Sequence, residues 1–436
     1  MREHGFFYTS LDELLVLNVT LVSTSDIHTN MATSTDEEIS ALLQQIAVQG
    51  QDWKKGTAGA REALLDSASR LRSSLLTPLE TLLLTQWSQP TVNAALLLGT
   101  QIGLFEALAA QNGAPKSSKA IADLTTPSAE PLLVARMLRL LASTNYVRET
   151  EADVFAPTPF ANAMTQQGYK DTVYLMCTNF QHGHTNVAEY FKQNGYKSPD
   201  SVLFTPLSHA LGLKDVSVYE YWGKLNPKAG AKFASCMATY TSDRPAWFQE
   251  GYYPVKDRLI TGARSGPTET FMVDLGGSTG HDLTRLLQAF GPQIPGKLVL
   301  QDRPEVVKLA EKEAAPEVVK MPHDFFLEQP VTRARAYYFH SIVHNWPDED
   351  VLSIFRALVP ALEKGYSKVI ICDAVLPNKG AHWLATAMDW EVMTALASRE
   401  RTVEEFTALL GSVGLKITGI FTHPQAVDSI VEAELA

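Results

Sequence analysis

Apolar residues along this chain recur with two periods, and the change from one to the other divides it. Over 37–48 and 60–84 the spacing is helical, with Asp and Ser near the starts, and Pro78 and Pro90 are expected to bend or end helices. An apolar helix is predicted over 92–108, carried by Ala94, Ala95, Leu96, Leu97, Leu98, Ile102, Leu104, Phe105 and Leu108. Helices at 117–124 and 129–143 follow, then two short strands at 146–149 and 154–158. Helices ending in a β wing describe a winged-helix unit. The segment 166–255 reads as helical and rich in aromatic residues, most of them core and some lining an apolar pocket.

From residue 271 the pattern alternates. Strands are predicted at 271–275, 297–301, 336–339 and 368–372, with a last strand region from 415. Helices are predicted at 281–290, 304–314, 348–362 and 402–413. Strand–helix alternation implies an α/β domain with a parallel open sheet. The expected organisation is a helical, winged-helix dimerisation domain over 31–165, a helical substrate-pocket linker over 166–255, and a Rossmann-like catalytic domain over 256–436.

The first strand runs into Gly276, Gly277 and Gly280, then into an amphipathic helix. Such a turn lets a ligand approach the backbone and faces it with free N–H groups. The G-G-x-x-G spacing lacks the middle glycine of a dinucleotide fingerprint, so no pyrophosphate seat is expected. On its own the turn also fits an ordinary strand–turn–helix.

Composition narrows the partners. The chain has 436 residues, a formal net charge of -11 and no basic patch, which argues against nucleic acid. Its 3 cysteines, Cys177, Cys236 and Cys372, give neither a disulfide framework nor zinc spacing and fit a reducing compartment, so a cytoplasmic location is expected. No apolar run is long enough to span a membrane. His182 and His184 are spaced as a metal pair, but no third ligand is evident nearby, and a pocket or surface role is expected. Met31-Ala-Thr-Ser-Thr-Asp-Glu-Glu reads as a protein start, so 1–30 is expected to be an upstream extension or a disordered tail.

Polar residues collect where the strands end: Asp302, Asp324 with Phe325, and His340 and His344 before Asn345-Trp346-Pro347-Asp348. Six motifs follow in order: Asp-Leu-Gly-Gly-Ser-Thr-Gly, Gln-Asp-Arg-Pro-Glu-Val-Val, His-Asp-Phe-Phe, Tyr-Phe-His-Ser-Ile-Val-His-Asn-Trp-Pro-Asp-Glu, Asp-Ala-Val-Leu-Pro and Arg-Glu-Arg-Thr. Together they resemble the S-adenosylmethionine-dependent O-methyltransferases of the plant caffeate type, most closely their fungal secondary-metabolism relatives. The resemblance covers roughly 90–425.

The resemblance implies a homodimer that methylates a hydroxyl of a small, aromatic or polyketide-like metabolite. Gly276 and Gly277 would face the methionine end of the cofactor, Asp302 its ribose, and Asp324, Phe325 and Trp346 its adenine, with Gly280 and His340 also counted among the cofactor-binding residues. His340 stands where relatives carry Lys or Arg, and Asn345 where they carry Asp; a histidine is a weaker fixed charge. His344 matches the general base, flanked by Asp373 and Glu400, and no metal is expected. Candidate substrate contacts are Phe180, His184, Met237, Tyr240, Trp247, Met388 and Met393. Two other readings stand beside transfer: a methyltransferase-like pericyclase or dehydratase that keeps the cofactor fold, and a non-catalytic winged-helix regulator.

Overall fold

The computed structural model of the chain describes residues 36–242 and 244–436. The expected extension over 1–30, and the start at Met31, lie outside the described residues. Two compact units result, one ending at Pro90 and one spanning Thr91–Ala436.

The first unit is helical. Helix Asp36–Lys54 opens with Asp36, Glu37 and Glu38, acids that suit the positive end of a helix dipole. The expected helix over 60–84 is broken in two: Ala60–Leu75, then Pro78–Leu83. Leu76 turns extended and ends the first helix; Thr77, directly before Pro78, is steered off the helical region by that proline and with Glu80 forms a reciprocal cap on the second helix. Pro90 does not end a helix; a π-helical turn, Leu84–Ser88, runs directly into Gln89–Gln101, and Pro90 is the second residue after that turn. The unit leaves Trp53, Leu75, Leu79, Leu82 and Trp87 exposed.

The second unit begins with the helix-and-wing module. The helix predicted over 92–108 is interrupted at Gly103 (φ 65°), giving Gln89–Gln101 and Leu104–Ala109. Helices Ser118–Leu124 and Pro131–Ser143 and strands Val147–Glu151 and Val154–Pro157 complete it, with Lys116–Ser117 as a third wing strand. Leu104, Phe105, Leu108, Leu138, Leu141 and Phe155 form its core. Lys116 is buried, and its ammonium donates to the carbonyls of Leu108, Ala110 and Ala114, closing the end of the Leu104–Ala109 helix.

The catalytic-type sheet has seven main strands: β1 Thr270–Leu275, β2 Lys297–Asp302, β3 Val319–Pro322, β4 Ala336–His340, β5 Lys368–Leu376, β6 Leu415–Thr422 and β7 Asp428–Leu435. Their order is β6-β7-β5-β4-β1-β2-β3. Strands β3 to β5 are parallel, as expected, but β7 runs antiparallel to both β5 and β6. The sheet is therefore mixed. The short link between β6 and β7 has no room for a crossover helix, and only a hairpin closes it. Strand β5 extends four residues beyond its expected end, so Asp373 lies within the strand, opposite Ser429, and not at its tip.

Both faces of the sheet are covered. Phe339, Val369, Ile371, Phe355 and Phe406 pack on one side; Phe271, Met272, Tyr338, Leu283 and Trp247 on the other. Helix Trp383–Leu396 has no counterpart in the sequence reading, because apolar residues lie all around it and give no helical stripe. It packs against the helices of the 166–255 segment through Val392, Ala395 and Leu396. Among the described residues no helix is long and apolar enough to cross a membrane.

Candidate active site

The site forms at the carboxyl ends of β1, β2, β4 and β5, where the chain leaves the sheet and backbone groups are free to meet a ligand. Gly276 (φ +73°) and Gly280 (φ +80°) hold left-handed conformations after β1. A side chain on Gly280 would also meet Ala314 and Leu300 at 2.7 and 2.8 Å, and one on Gly277 would meet the Asp274 carboxylate at 2.6 Å. These glycines keep the turn tight against the sheet. Ser278 donates its N–H to Asp302 Oδ2 at 2.9 Å, and Arg303 donates its N–H to Oδ1 at 2.7 Å. Burial nevertheless raises the Asp302 carboxyl above its ordinary range.

Beyond β3, Phe325 lies near Gly276, and its ring meets Trp346 edge-on at 6.0 Å. Phe326 meets the same indole at 4.9 Å, and Tyr219 stacks on it at 6.0 Å. This makes an aromatic slot beside the glycine turn. Asp324 is exposed and accepts an N–H from Phe326.

His344 sits in a single 3₁₀ turn, Val343–Asn345, that follows β4. Its Nδ1 lies 2.7 Å from Glu400 Oε1, and its backbone N–H donates to Asp373 Oδ2 at 3.0 Å. Both carboxylates are buried, as is the imidazole. The sequence reading puts one acid on each side of the base; in the structure only Glu400 reaches the ring, and Asp373 grips the backbone. Burial disfavours the imidazolium, but Glu400 and Asp373 outweigh it and raise His344 to about 9. Burial raises Asp373 to about 6, against the pull of His344.

His340 ends β4 with its Nδ1 2.6 Å from Asp282 Oδ2. Burial opposes charge on both, yet the neighbours prevail: Asp282 falls to about 2 beside His340, and His340 rises well above the usual histidine range beside Cys372 and Asp282. Asp282 is thus the direct partner of the histidine that stands where relatives carry Lys or Arg. Asn345 donates its side-chain N–H to the Ser341 carbonyl at 2.6 Å, a bond that an ionised aspartate could not make. By spacing, His281, Asp282 and His340 form a group that could ligate a metal, but the His340–Asp282 ion pair already joins two of the three.

The candidate substrate residues do not all meet. Phe180, Met237 and Met388 join one apolar cluster with Trp222 and Phe233, and Tyr219 links it to Trp346. His184 faces that region from helix Gln181–Gln193, with its Nε2 3.1 Å from Glu391 on helix Trp383–Leu396. Tyr240 lies under the Arg244 guanidinium at 3.6 Å. Trp247 is elsewhere: it stacks on Tyr338 at 4.9 Å and lines a small cavity with Arg244, Asp282, His340 and Asp428. Met393 is half-buried on the same helix as Met388 and belongs to none of the core clusters. Three residues that organise the site escape the sequence reading: Asp282, Asp389, which accepts the Glu400 N–H at 2.8 Å, and Arg401. Their signal was adjacency: Asp282 follows the glycine turn, and Arg401 follows Glu400 in the Arg-Glu-Arg-Thr motif.

S-adenosylmethionine can be tested against these residues. One oxygen each of Asp274, Asp373 and Glu400 is buried without a hydrogen-bond partner among the described residues. An ammonium beside the glycine turn would satisfy Asp274, whose carboxyl burial raises well above the usual range. Asp302 and the Phe325–Trp346 slot offer an acceptor for hydroxyls and a flat apolar seat. The residues fit an amino-acid-linked nucleoside.

Comparison with known proteins agrees. Residues 265–416 match the O-methyltransferase domain family, and residues 90–167 the O-methyltransferase dimerisation domain. The O-methyltransferase mpaG of Penicillium brevicompactum is 33% identical over 396 residues, 91% of this chain and 98% of its own. A solved structure described as a pericyclic reaction enzyme superimposes with a TM-score of 0.81 at 26% identity, covering 92% of this chain and 100% of that one. LepI in complex with S-adenosylmethionine gives 0.81 at 25% identity, over 92% and 100%. With its glycine turn, acidic strand end and dimerisation module in place, the chain belongs to the S-adenosylmethionine-dependent O-methyltransferases, in company with enzymes of fungal secondary metabolism.

Proposed function

We propose that this enzyme methylates a hydroxyl of a small aromatic or polyketide-like metabolite, with His344 as the general base. The observation that carries the proposal is the His344–Glu400 contact at 2.7 Å, inside a buried site whose other carboxylate fixes the His344 backbone. Bound S-adenosylmethionine supplies a methyl group on a positive sulfur.

The chain's residues do the rest. Gly276, Gly277 and Gly280 let the backbone approach the methionine end, Asp274 accepts from its ammonium, Asp302 accepts from the ribose hydroxyls, and Asp324, Phe325 and Trp346 hold the adenine. Holding donor and acceptor in line is the main source of rate in such a displacement. Glu400 occupies Nδ1 and so directs Nε2 toward the acceptor hydroxyl. A histidine raised to about 9 comes close to a phenol, whose ordinary pKa is ~10, so proton transfer is nearly matched. The cost is that most molecules carry the imidazolium at neutral pH.

The apolar cluster of Phe180, Met237 and Met388 suits a flat ring, with the His184–Glu391 pair as its polar end. A homodimer is part of the proposal. It is supported by the dimerisation-domain match and by Leu132 and Leu133, exposed on helix Pro131–Ser143. The direct test is His344→Gln: S-adenosylhomocysteine binding is retained and turnover lost. Normal turnover by that variant contradicts the assignment.

A second reading is favoured by one observation. An imidazolium held to about pH 9 in a buried site is a proton donor, which suits dehydration or pericyclic chemistry, and a pericyclic enzyme shares the fold at 26% identity. Release of S-adenosylhomocysteine separates the two.

A further inference from the structure

Beside the base runs a strap of residues, Ser398 to Arg401. Arg401 is fully buried, with 1% of its side chain exposed. Long cationic side chains are almost never buried so completely unless every N–H finds an acceptor. Here Nη1 donates to the Val343 carbonyl at 3.0 Å and Nη2 to the Trp346 carbonyl at 3.0 Å. Nε and Nη2 donate to Asp348 Oδ1 at 3.0 and 2.7 Å. Ser398 Oγ donates to the same Trp346 carbonyl at 2.7 Å.

The acceptors are not scattered. Val343 and Trp346 bracket the one-turn segment that carries His344, and Asp348 starts the helix that follows it. The turn is too short to be held by its own hydrogen bonds, since 3₁₀ geometry is weak over a single turn. Glu400, which meets the imidazole, is the residue before Arg401. One strap therefore fixes both the ring and the backbone on either side of it. Trp346 also closes the aromatic slot with Phe325, so the same guanidinium ties the base to the cofactor side.

We propose that Arg401 is a positioning residue: it clamps the Val343–Trp346 turn so that His344 and Trp346 keep a fixed separation. Its planar fork holds two carbonyls and a carboxylate in fixed directions from three separate nitrogens, a spread that the single nitrogen of an ammonium does not match. This inference rests on His344 being the base.

The test compares wild type, Arg401→Lys and His344→Gln, each checked for folding by thermal melting and for S-adenosylhomocysteine binding by calorimetry. Histidine NMR, with His344 assigned by its loss in His344→Gln, gives the titration of the ring without turnover. Arg401→Lys is expected to fold, to titrate His344 at lower pH than wild type, and to lose ~100-fold in kcat, the scale of a small misplacement of reacting groups. A folded Arg401→Lys with unchanged His344 titration and kcat overturns the inference. Where that variant does not fold, Asp348→Ala is read in its place, because it leaves the guanidinium and its two carbonyl contacts but removes the carboxylate that orients the fork. The same downward shift in titration supports the clamp, and an unchanged titration overturns it. If His344→Gln is as active as wild type, the base assignment itself fails. If His344→Gln is inactive while Arg401→Lys is normal, only the clamp fails.

Discussion

His344 Nδ1 and Glu400 Oε1 lie 2.7 Å apart, and each belongs to an element that the other does not touch in sequence. The turn after β4 carries the base, and the strap before helix Val403–Ser412 carries the acid. Asp373 adds a second acid, but only to the backbone of the base. The charge on the ring is therefore set chiefly by Glu400, and several measurable consequences follow from that division.

Glu400→Gln removes the charge and keeps the shape. The His344 pKa is expected to fall from about 9 toward its ordinary range. Rate needs the neutral ring, so wild-type kcat should climb from pH 7 to about 9, and the limb should move to lower pH in Glu400→Gln. A pH–rate profile of both proteins checks this. An unmoved limb would show that another group sets it.

The same pair bears on stability with a defined sign. The folded pKa of His344 lies above its unfolded value, so the pair's contribution is full below pH ~6.5 and is lost as pH rises through about 9. The melting-temperature advantage of wild type over Glu400→Gln should therefore be largest near pH 6 and shrink toward pH 9. Thermal melts across that range test it.

Asp302 is the acceptor assigned to the ribose hydroxyls. Asp302→Ala removes it and also strips the Ser278 and Arg303 N–H groups of their acceptor. S-adenosylhomocysteine affinity should drop at least ~10-fold, the scale of one lost hydrogen bond to a charged group. Calorimetric titration decides. Wild-type affinity would remove Asp302 from the site.

Gly280→Ala tests the turn itself. The left-handed backbone and the contacts at 2.7 and 2.8 Å both oppose a side chain. Destabilisation of about 1–3 kcal/mol is expected. An unchanged melting temperature would mean that the turn relaxes freely.

How much of this was legible in the sequence depended on distance along the chain. The glycine turn, Asp302 and Trp346 follow strands whose apolar runs are clear, so their common edge could be anticipated, whereas Phe325 follows the short strand Val319–Pro322, which has no such run, and was placed by its motif. His344, Asp373 and Glu400 became a set only through their motifs. That Glu400 meets the ring while Asp373 meets the backbone depends on strand β5 continuing past Asp373 and on the strap at 398–401, neither of which has a periodic signature. Helix Trp383–Leu396 was missed because an apolar surface all round carries no stripe, and with it went Asp389 and the His184–Glu391 pair. The antiparallel β7 and the Asp282–His340 pair are tertiary outcomes: one follows from a short link, the other from a contact between residues far apart in the chain.

The most direct test of the central claim is to follow S-adenosylhomocysteine and substrate together, using a panel of phenolic and polyketide-like acceptors. Methyl transfer predicts one S-adenosylhomocysteine released for each acceptor consumed by wild type, and none by His344→Gln. Acceptor consumed with no S-adenosylhomocysteine formed would contradict it and identify a reaction that keeps the methyl group on the cofactor.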